Sequence, residues 1–262
     1  MIPDLSPSDK AKLAAAKQAS LAIETGMRVG LGTGSTAAWL VKCLAARVRE
    51  EGLAIKCVPT STQTAELARG LGLDVITLDQ AGTLDVTIDG ADEFDAHLNL
   101  IKGGGAALLQ EKIVATASAQ MIVIADSDKE VATLGAFALP IEVIPFGLES
   151  TRKQVEEMLL AMEVEGRETS LRMKETAPLV TDEGNHILDL HLKRIGNAPQ
   201  LAMTLNQIPG VVENGLFIDI CDRVIIGSGD GKVETRDINA GTIETDQVDF
   251  ANAENLFGDP AP

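Results

Sequence analysis

The sequence predicts an α/β fold: a doubly wound parallel sheet with a second, smaller α+β domain. Short apolar segments alternate with amphipathic segments of helical periodicity through the first half of the chain, as in successive βαβ units. The segment 121–125 is apolar almost throughout, which is typical of a parallel strand buried on both faces. Because aromatic residues make up only 3% of the chain, the core is expected to consist of aliphatic side chains.

The elements of the first half follow in chain order. A helix is expected from Ser8 to Glu24, with Ser8 as N-cap and Gly26 as its stop. A strand over 27–31 then leads through a turn of small residues into a helix over 37–50. Further strands are expected at 55–58, 74–78, 85–88 and 121–125, and further helices at 65–71 and from residue 106 onward.

The pattern changes at about residue 137. A strand over 141–145 bounded by prolines precedes a helix over 150–163. Strand candidates at 179–181 and 187–192 flank the turn residues Asp182 to Asn185, which favours a hairpin, and a helix follows over 199–206. Strand, helix, hairpin and helix in this order indicate a small α+β domain of the ferredoxin-like type.

These patterns define the expected domains. Strand candidates at 215–220 and 223–226 should return to the first domain. We therefore expect residues 1–136 and 208–235 to form the parallel-sheet domain and residues 137–207 the α+β domain. No Lys or Arg follows Arg236, and six acidic residues do, so residues 236–262 are expected to form a flexible acidic tail.

Charge narrows the choice of partner. The net charge of −17 argues against nucleic acid, whose phosphate backbone needs a basic surface. A small phosphorylated substrate stays compatible with this charge, because backbone N–H groups, a helix N-terminus and one or two local cations suffice to hold it. No window approaches the roughly 18 apolar residues of a membrane span, so no membrane partner is expected.

The cysteines indicate the compartment. Cys43, Cys57 and Cys221 are far apart, odd in number and without CxxC spacing, which favours buried free thiols over disulfides or a metal site. A reducing, cytoplasmic setting fits this usage best.

The first candidate site is the segment Gly32-Thr33-Gly34-Ser35-Thr36, between a strand and a helix. Glycine permits positive φ and close approach of the backbone, and the hydroxyl groups can donate hydrogen bonds to an anion. The segment lacks the ending of a phosphate-binding P-loop and the third glycine of the dinucleotide fingerprint. Two readings stay open here, a phosphate-binding loop and a tight turn without ligand.

The second candidate site is Asp89-Gly90-Ala91-Asp92-Glu93, which places three carboxylates directly after an apolar strand. Such a cluster can be a solvated turn, a grip on sugar hydroxyls or a metal site. Its place at the carboxyl end of a strand favours a function over a plain turn. Since no His lies at ligand spacing, a metal is the less favoured of the two functions.

The third candidate site is Lys102-Gly103-Gly104-Gly105, a flexible run with a cation attached that leads directly into an apolar helix. Glu111 lies one to two turns into that helix. Composition alone makes it an ordinary surface glutamate. The glycine run before it changes this expectation, because the Glu111 side chain can then project back toward a bound ligand.

In this order the segments resemble the A-type ribose-5-phosphate isomerase family, over about residues 9–233. Any one motif is weak, but the ordered set is highly specific. Beyond the three candidate sites the resemblance rests on Ala125-Asp126-Ser127-Asp128-Lys129, Leu139-Pro140-Ile141-Glu142-Val143-Ile144-Pro145 and Ile208-Pro209-Gly210-Val211-Val212-Glu213.

The resemblance implies a fold, a reaction and roles. It implies a Rossmann-like domain and interconversion of ribose 5-phosphate and ribulose 5-phosphate through an enediolate, in the non-oxidative pentose phosphate pathway. Glu111 is the implied general base, Asp89 the group that opens the sugar ring, and Lys102 the cation near the developing oxyanion. The implied substrate-binding residues are Thr33, Gly34, Ser35, Thr36, Asp89, Gly90, Ala91, Asp92, Lys102, Gly103, Gly104, Gly105 and Lys129.

The resemblance further implies no metal, no cofactor and a homodimer or homotetramer. Two departures bear on local charge: Gln110 stands where the family often has Arg, and Ala136 where it often has Lys. A CoA transferase of related fold, with a glutamate nucleophile, is one alternative function. A sugar-phosphate sensor that does no chemistry is the other.

Overall fold

The computed structural model describes residues 5–250, which divide into two compact units. Among the described residues, the first unit comprises 5–90, Gln110–Lys129 and 220–250. The second comprises Ala91–Leu109 and Glu130–Asp219. The second unit contains all of the expected small domain, residues 137–207, and in addition takes in 91–109, 130–136 and 208–219, which were expected in the first domain.

Helices and strands alternate in the first part of the chain, and runs of consecutive strands follow in the second. The helices are α1 (Pro7–Ser20), α2 (Ser35–Glu51), α3 (Thr62–Gly70), α4 (Leu78–Ala81), α5 (Leu108–Thr116), α6 (Leu148–Leu159) and α7 (Ala198–Leu205). The strands are β1 (Arg28–Leu31), β2 (Lys56–Pro59), β3 (Asp74–Val75), β4 (Val86–Gly90), β5 (Glu93–Phe94), β6 (Leu100–Ile101), β7 (Met121–Asp126), β8 (Leu139–Val143), β9 (Glu168–Leu171), β10 (Met173–Lys174), β11 (Ala177–Pro178), β12 (His186–His191), β13 (Val211–Asn214), β14 (Leu216–Phe217), β15 (Arg223–Gly227), β16 (Lys232–Asp237) and β17 (Thr242–Gln247).

The first unit is built on an eight-stranded sheet in the order β17-β16-β15-β7-β4-β1-β2-β3. From β15 to β3 every neighbouring pair is parallel, and this is the strand order of doubly wound dinucleotide-binding folds. The strand order reverses between β1 and β4, because β2 follows on one side of β1 and β4 lies on the other. In such sheets ligands bind outside the carboxyl ends of the strands at this switch point.

The second unit contains a four-stranded antiparallel sheet in the order β13-β8-β12-β9. With α6 after β8 and α7 after β12, this is the βαββαβ arrangement of ferredoxin-like domains, so the predicted fold class is confirmed. Leu139, Ile141 and Val143 of β8 are fully buried in the core of this unit. A separate three-stranded sheet, β14-β6-β5, explains why residues 91–109 belong to this unit.

Several elements differ from expectation. The strand expected at 215–220 does not return to the first domain, because β14 pairs with β6 in the second unit. Helix α1 ends at Ser20, before the expected Glu24. Helix α1 begins at Pro7 rather than Ser8, because proline fits the first helical position and the Ser6 hydroxyl accepts the Asp9 N–H at 3.1 Å as N-cap. The predicted hairpin between 179–181 and 187–192 is wrong. The second of these segments instead pairs with β8 and β9, and a short hairpin of β10 and β11 precedes the turn.

The expectation of a flexible tail from residue 236 is also wrong over its first part. Strand β16 pairs antiparallel with β15, and β17 pairs with β16, so residues 232–247 extend the large sheet. Val233 of β16 is fully buried and anchors this extension in the main core. The remainder of the predicted tail, residues 251–262, lies outside the described part of the chain.

Candidate active site

The segment after β1 forms a loop that ends in the N-terminus of a long helix. Gly34 is the N-cap of the 17-residue α2 and has φ +108°, a conformation that favours glycine. No side chain caps this helix end by a hydrogen bond. Backbone N–H groups and the positive end of the helix dipole make such a terminus favourable for a phosphate or carboxylate.

Asp89 of β4 fixes this loop from the neighbouring strand. Its side chain is fully buried, and its Oδ1 atom accepts the Thr33 N–H at 3.1 Å and the Gly90 N–H at 2.7 Å. A Cβ atom on Gly32 would lie 2.0 Å from the same Oδ1 atom, so only glycine fits there. The structure therefore brings together two segments that the sequence separates by more than 50 residues, at the switch point of the sheet.

Sequence reasoning missed a group of hydroxyls that supports the loop from the other side. The Thr33 hydroxyl lies 2.8 Å from both the Thr60 and the Ser61 hydroxyl, and the Thr64 hydroxyl donates to the Gly32 carbonyl at 3.0 Å. The signal was present, since a run of hydroxyl residues directly follows β2. Its relevance depends on β1 and β2 being neighbours, which the structure supplies.

Lys129 lies at the same edge of the sheet. It ends a single 3₁₀ turn, Ser127–Lys129, that directly follows β7, and its side chain is half-buried. Because β1, β4 and β7 are parallel, their carboxyl ends lie along one edge. The loop after β1, the residues Asp89 and Gly90, and Lys129 therefore all lie at the carboxyl edge of the large sheet.

Glu111 lies in the first turn of α5 and is buried, with 3% of its surface exposed. The interpretation of Glu111 as a surface glutamate is therefore wrong. The expectation that its side chain projects toward a bound ligand stays a prediction. A buried carboxylate is costly unless its surroundings stabilise it, so burial of this kind usually marks a functional or structural role.

The glycine run of the second unit is a shaped loop. Gly103 has φ +113°, and Ala106 also has a positive φ of +59°. The Gly104 N–H donates to Asp92 Oδ2 at 2.7 Å, and a Cβ atom on Gly104 would lie 2.5 Å from the other oxygen of this carboxylate. The sequence predicted both segments as candidate sites, and within this unit the structure joins them.

Lys102 begins that loop and is almost fully buried, with 2% exposed. Its backbone N–H donates to the Gly215 carbonyl at 2.9 Å, which ties the loop to the segment before β14. Its ammonium group lies 5.5 Å from the centre of the Phe217 ring, within the range of a cation–π interaction. The Lys102 amine is therefore buried beside an aromatic ring at the start of the glycine run.

The remaining carboxylate of the acidic cluster has a structural role. Glu93 is buried and accepts the N–H groups of Gly135, at 2.7 Å, and Phe137. Ala136, a departure from the family pattern, lies between these two donors and is exposed. Gln110, the other departure, lines a surface pocket of about 440 Å³ in the first unit, together with Arg69.

Two general features accompany these residues. Among residues 5–250 no group of three or more His, Cys, Asp or Glu side chains is placed to hold a metal ion. Over the same range no helix combines the length and apolar character that crossing a bilayer requires.

A doubly wound sheet with a hydroxyl- and glycine-rich loop and a buried carboxylate at its switch point defines the class of α/β proteins that bind a small ligand at the carboxyl ends of their strands. Comparison with known proteins gives the family. The family model for ribose 5-phosphate isomerase A (phosphoriboisomerase A) matches residues 56–231. The ribose-5-phosphate isomerase A of Ruegeria sp. (strain TM1040) is 71% identical over 259 residues, covering 99% of each chain.

Solved structures agree with this assignment. The ribose 5-phosphate isomerase A of Methanocaldococcus jannaschii is 37% identical, with a TM-score of 0.79 over 93% of this chain and 100% of that one. A D-ribose-5-phosphate isomerase in complex with phospho-erythronic acid is 38% identical, with a TM-score of 0.78 over the same shares. The chain therefore belongs to the ribose 5-phosphate isomerase A family, and the resemblance found in its motifs is confirmed.

Proposed function

We propose that this chain interconverts D-ribose 5-phosphate and D-ribulose 5-phosphate. The observation that carries the proposal is the 71% identity, over 99% of both chains, to a ribose-5-phosphate isomerase A. The relative solved with phospho-erythronic acid supports it, because a phosphorylated sugar acid presents a planar, negatively charged end like that of an enediolate. The buried Glu111 and Lys102 supply the two residue types that this chemistry needs.

The proposed reaction moves one proton between neighbouring carbons. Glu111 removes the proton from C2 of the open-chain aldose, and the C–H electron pair becomes the C1–C2 double bond of an enediolate. Glu111 then returns a proton to C1, while the hydroxyl proton of O2 passes to O1, so the ketose forms without net gain or loss. A positioned base of this kind contributes about 10²- to 10⁴-fold to the rate.

The negative charge of the enediolate must be stabilised by hydrogen-bond donors or a cation. We assign this role to Lys102 and to the N–H groups of Gly103 and Gly105, since each donor at an oxyanion contributes about 10²- to 10³-fold. The Gly104 N–H instead holds the Asp92 carboxylate. Asp89 assists opening of the sugar ring, and Asp92 binds sugar hydroxyls. The loop from Thr33 to Thr36 and Lys129 bind the substrate, with the N-terminus of α2 favouring its phosphate.

The test is an isomerase assay on ribose 5-phosphate with the wild type and Glu111→Gln. Glutamine keeps the size of the side chain but cannot accept the C2 proton, so kcat should fall at least about 10²-fold while phospho-erythronic acid still binds. Glu149→Gln is the matched control, because Glu149 is an exposed glutamate in the first turn of α6. Full activity of Glu111→Gln would refute the assignment of the base.

The isomerase assay and two further measurements separate the alternatives. Loss of wild-type activity on adding a chelator would refute a metal-free reaction. A covalent adduct on Glu111 after incubation with an acyl-CoA would favour a CoA transferase, and binding of ribose 5-phosphate without turnover would favour a sensor.

We further propose that the protein is cytoplasmic and forms a homodimer or homotetramer. Sedimentation of the purified protein would test the oligomeric state.

A further inference from the structure

Arg172, which is not among the predicted site residues, donates hydrogen bonds to the backbone of the glycine run. Arg172 directly follows β9, and its Nη1 atom donates to the Gly103 carbonyl at 2.7 Å and to the Gly104 carbonyl at 3.2 Å. Only 16% of its side chain is exposed. Both carbonyls belong to the loop that begins at Lys102, so one guanidinium group bridges two consecutive peptide units of the candidate site.

The guanidinium is itself fixed by a carboxylate of the neighbouring strand. Arg172 Nε donates to Asp189 Oδ2 at 2.9 Å, and Nη2 donates to Asp189 Oδ1, so the pair is bidentate. Asp189 lies in β12 and its side chain is 15% exposed. The Arg172 backbone N–H donates to the Ile187 carbonyl at 2.9 Å. A planar guanidinium held by a carboxylate in this way has a defined orientation, which a lysine does not reproduce.

Because peptide units are planar, the direction of the two carbonyls also fixes the direction of the Gly104 and Gly105 N–H groups. The described residues contain no cis peptide bonds, so within each peptide unit the C=O and N–H groups point in opposite directions. With the Gly103 carbonyl toward Arg172, the Gly104 N–H points to the opposite side, where it donates to Asp92. With the Gly104 carbonyl also toward Arg172, the Gly105 N–H points away from the arginine as well.

We propose that Arg172, oriented by Asp189, is a positioning residue that sets the direction of the Gly104 and Gly105 N–H groups. The inference rests on the proposed isomerase function, in which the glycine run stabilises the enediolate. Two other hydrogen bonds also restrain the loop, from the Ala106 N–H to the Gly103 carbonyl at 3.0 Å and from the Gly104 N–H to Asp92 at 2.7 Å. Arg172 adds the contact with the Gly104 carbonyl in a glycine-rich segment where Ala106 adopts a disfavoured positive φ. Arg172 supplies that restraint without touching the substrate.

The test replaces Arg172 and a matched arginine of the same unit. Arg152 is the control, because it also donates to a backbone carbonyl, that of Thr169, at 2.7 Å, but outside the glycine run. Arg172→Met should lower kcat about 10- to 100-fold, as expected for misplacement of catalytic groups by about an ångström. Arg152→Met should retain the wild-type kcat. Arg172→Lys keeps the charge but loses the fork, and should also lower kcat, which covers the case that Arg172→Met does not fold.

Two further readouts separate positioning from a general structural role. Millimolar guanidinium should restore part of the kcat of Arg172→Ala and leave that of Arg152→Ala unchanged. Amide hydrogen exchange at Gly104 and Gly105 should be faster in Arg172→Lys than in the wild type. Unchanged exchange at these two amides, or a wild-type kcat in Arg172→Lys, would overturn the proposal.

The exchange measurement also separates this proposal from the proposed function. It needs no substrate, so an inactive wild type with faster exchange at Gly104 and Gly105 in Arg172→Lys would refute the isomerase while leaving the loop support intact. An active wild type with unchanged exchange would refute only the role of Arg172.

Discussion

Replacing Gly32 by alanine tests the packing of the first loop against Asp89. The added Cβ atom would lie 2.0 Å from Oδ1, 2.1 Å from Cγ and 2.6 Å from Cα of Asp89. Rotation of the Asp89 side chain can relieve the first two contacts but not the third, because Cα belongs to the backbone of β4. That strand is held on both sides, by β1 and by β7, so it has little freedom to move.

The size of the effect follows from that third contact. Carbon atoms in favourable contact lie about 3.5–4.0 Å apart, so the loop and β4 must separate by about 1 Å. Overpacking of this kind costs about 1–3 kcal/mol of stability. A displacement of about 1 Å in groups that position a substrate lowers activity about 10²-fold. The shift also weakens the bond from the Thr33 N–H to Asp89 Oδ1, which is 3.1 Å long in the native loop.

The assay is ribose 5-phosphate isomerisation together with thermal unfolding. We expect kcat/KM to fall about 10²-fold and Tm to fall by roughly 2–12 °C, at about 2–4 °C per kcal/mol for a chain of this size. Gly70→Ala is the control, because no heavy atom lies within 4 Å of its Cβ position and its φ is not positive, so both quantities should stay near the wild type. A Gly32→Ala protein with wild-type kcat/KM would refute the described packing of the loop against Asp89.

Two further predictions follow from buried ionisable groups. Burial raises the pKa of Glu142, so its contribution to stability is present below the unfolded pKa of about 4.3 and is lost as pH rises through the folded pKa. Urea unfolding should therefore show Glu142→Gln gaining stability relative to the wild type as pH rises from about 4 to 8; a pH-independent difference would contradict this. Burial also raises the pKa of Cys43 and Cys57 to about 12 each, so a disulfide reagent at pH 8 should label neither thiol in the native protein and both in urea, and rapid native labelling would contradict their burial.

The order of the large sheet was within reach of the sequence, because alternating strands and helices permit few topologies. The contacts of Thr60, Ser61 and Thr64 with the first loop could not be predicted from the sequence, since they depend on which strands become neighbours. Arg172 was out of reach for the same reason. In a polar stretch of the sequence it resembles any surface arginine, and only the pairing of β9 with β12 brings it beside Asp189.

Strands β16 and β17, which extend the sheet beyond β15, could not be predicted from the sequence for a different reason. Strand prediction relies on alternation between a buried and an exposed face. In β16 only Val233 is buried, and every residue of β17 is exposed, so neither strand has an apolar face to detect. An acidic, polar composition predicts disorder in isolation, and here pairing with an existing sheet edge overrides that tendency.

Strand β17 also bears on how the molecule avoids aggregation. It is the outermost strand of the sheet, and an unpaired outer strand invites addition of a strand from another molecule. Its exposed apolar side chain, Ile243, is followed directly by Glu244 and then by Asp246. If two such strands paired antiparallel about Thr245, Glu244 of each would face Asp246 of the other, and this repulsion disfavours pairing in that register. The opposite outer strand, β3, is only two residues long and offers little to pair with.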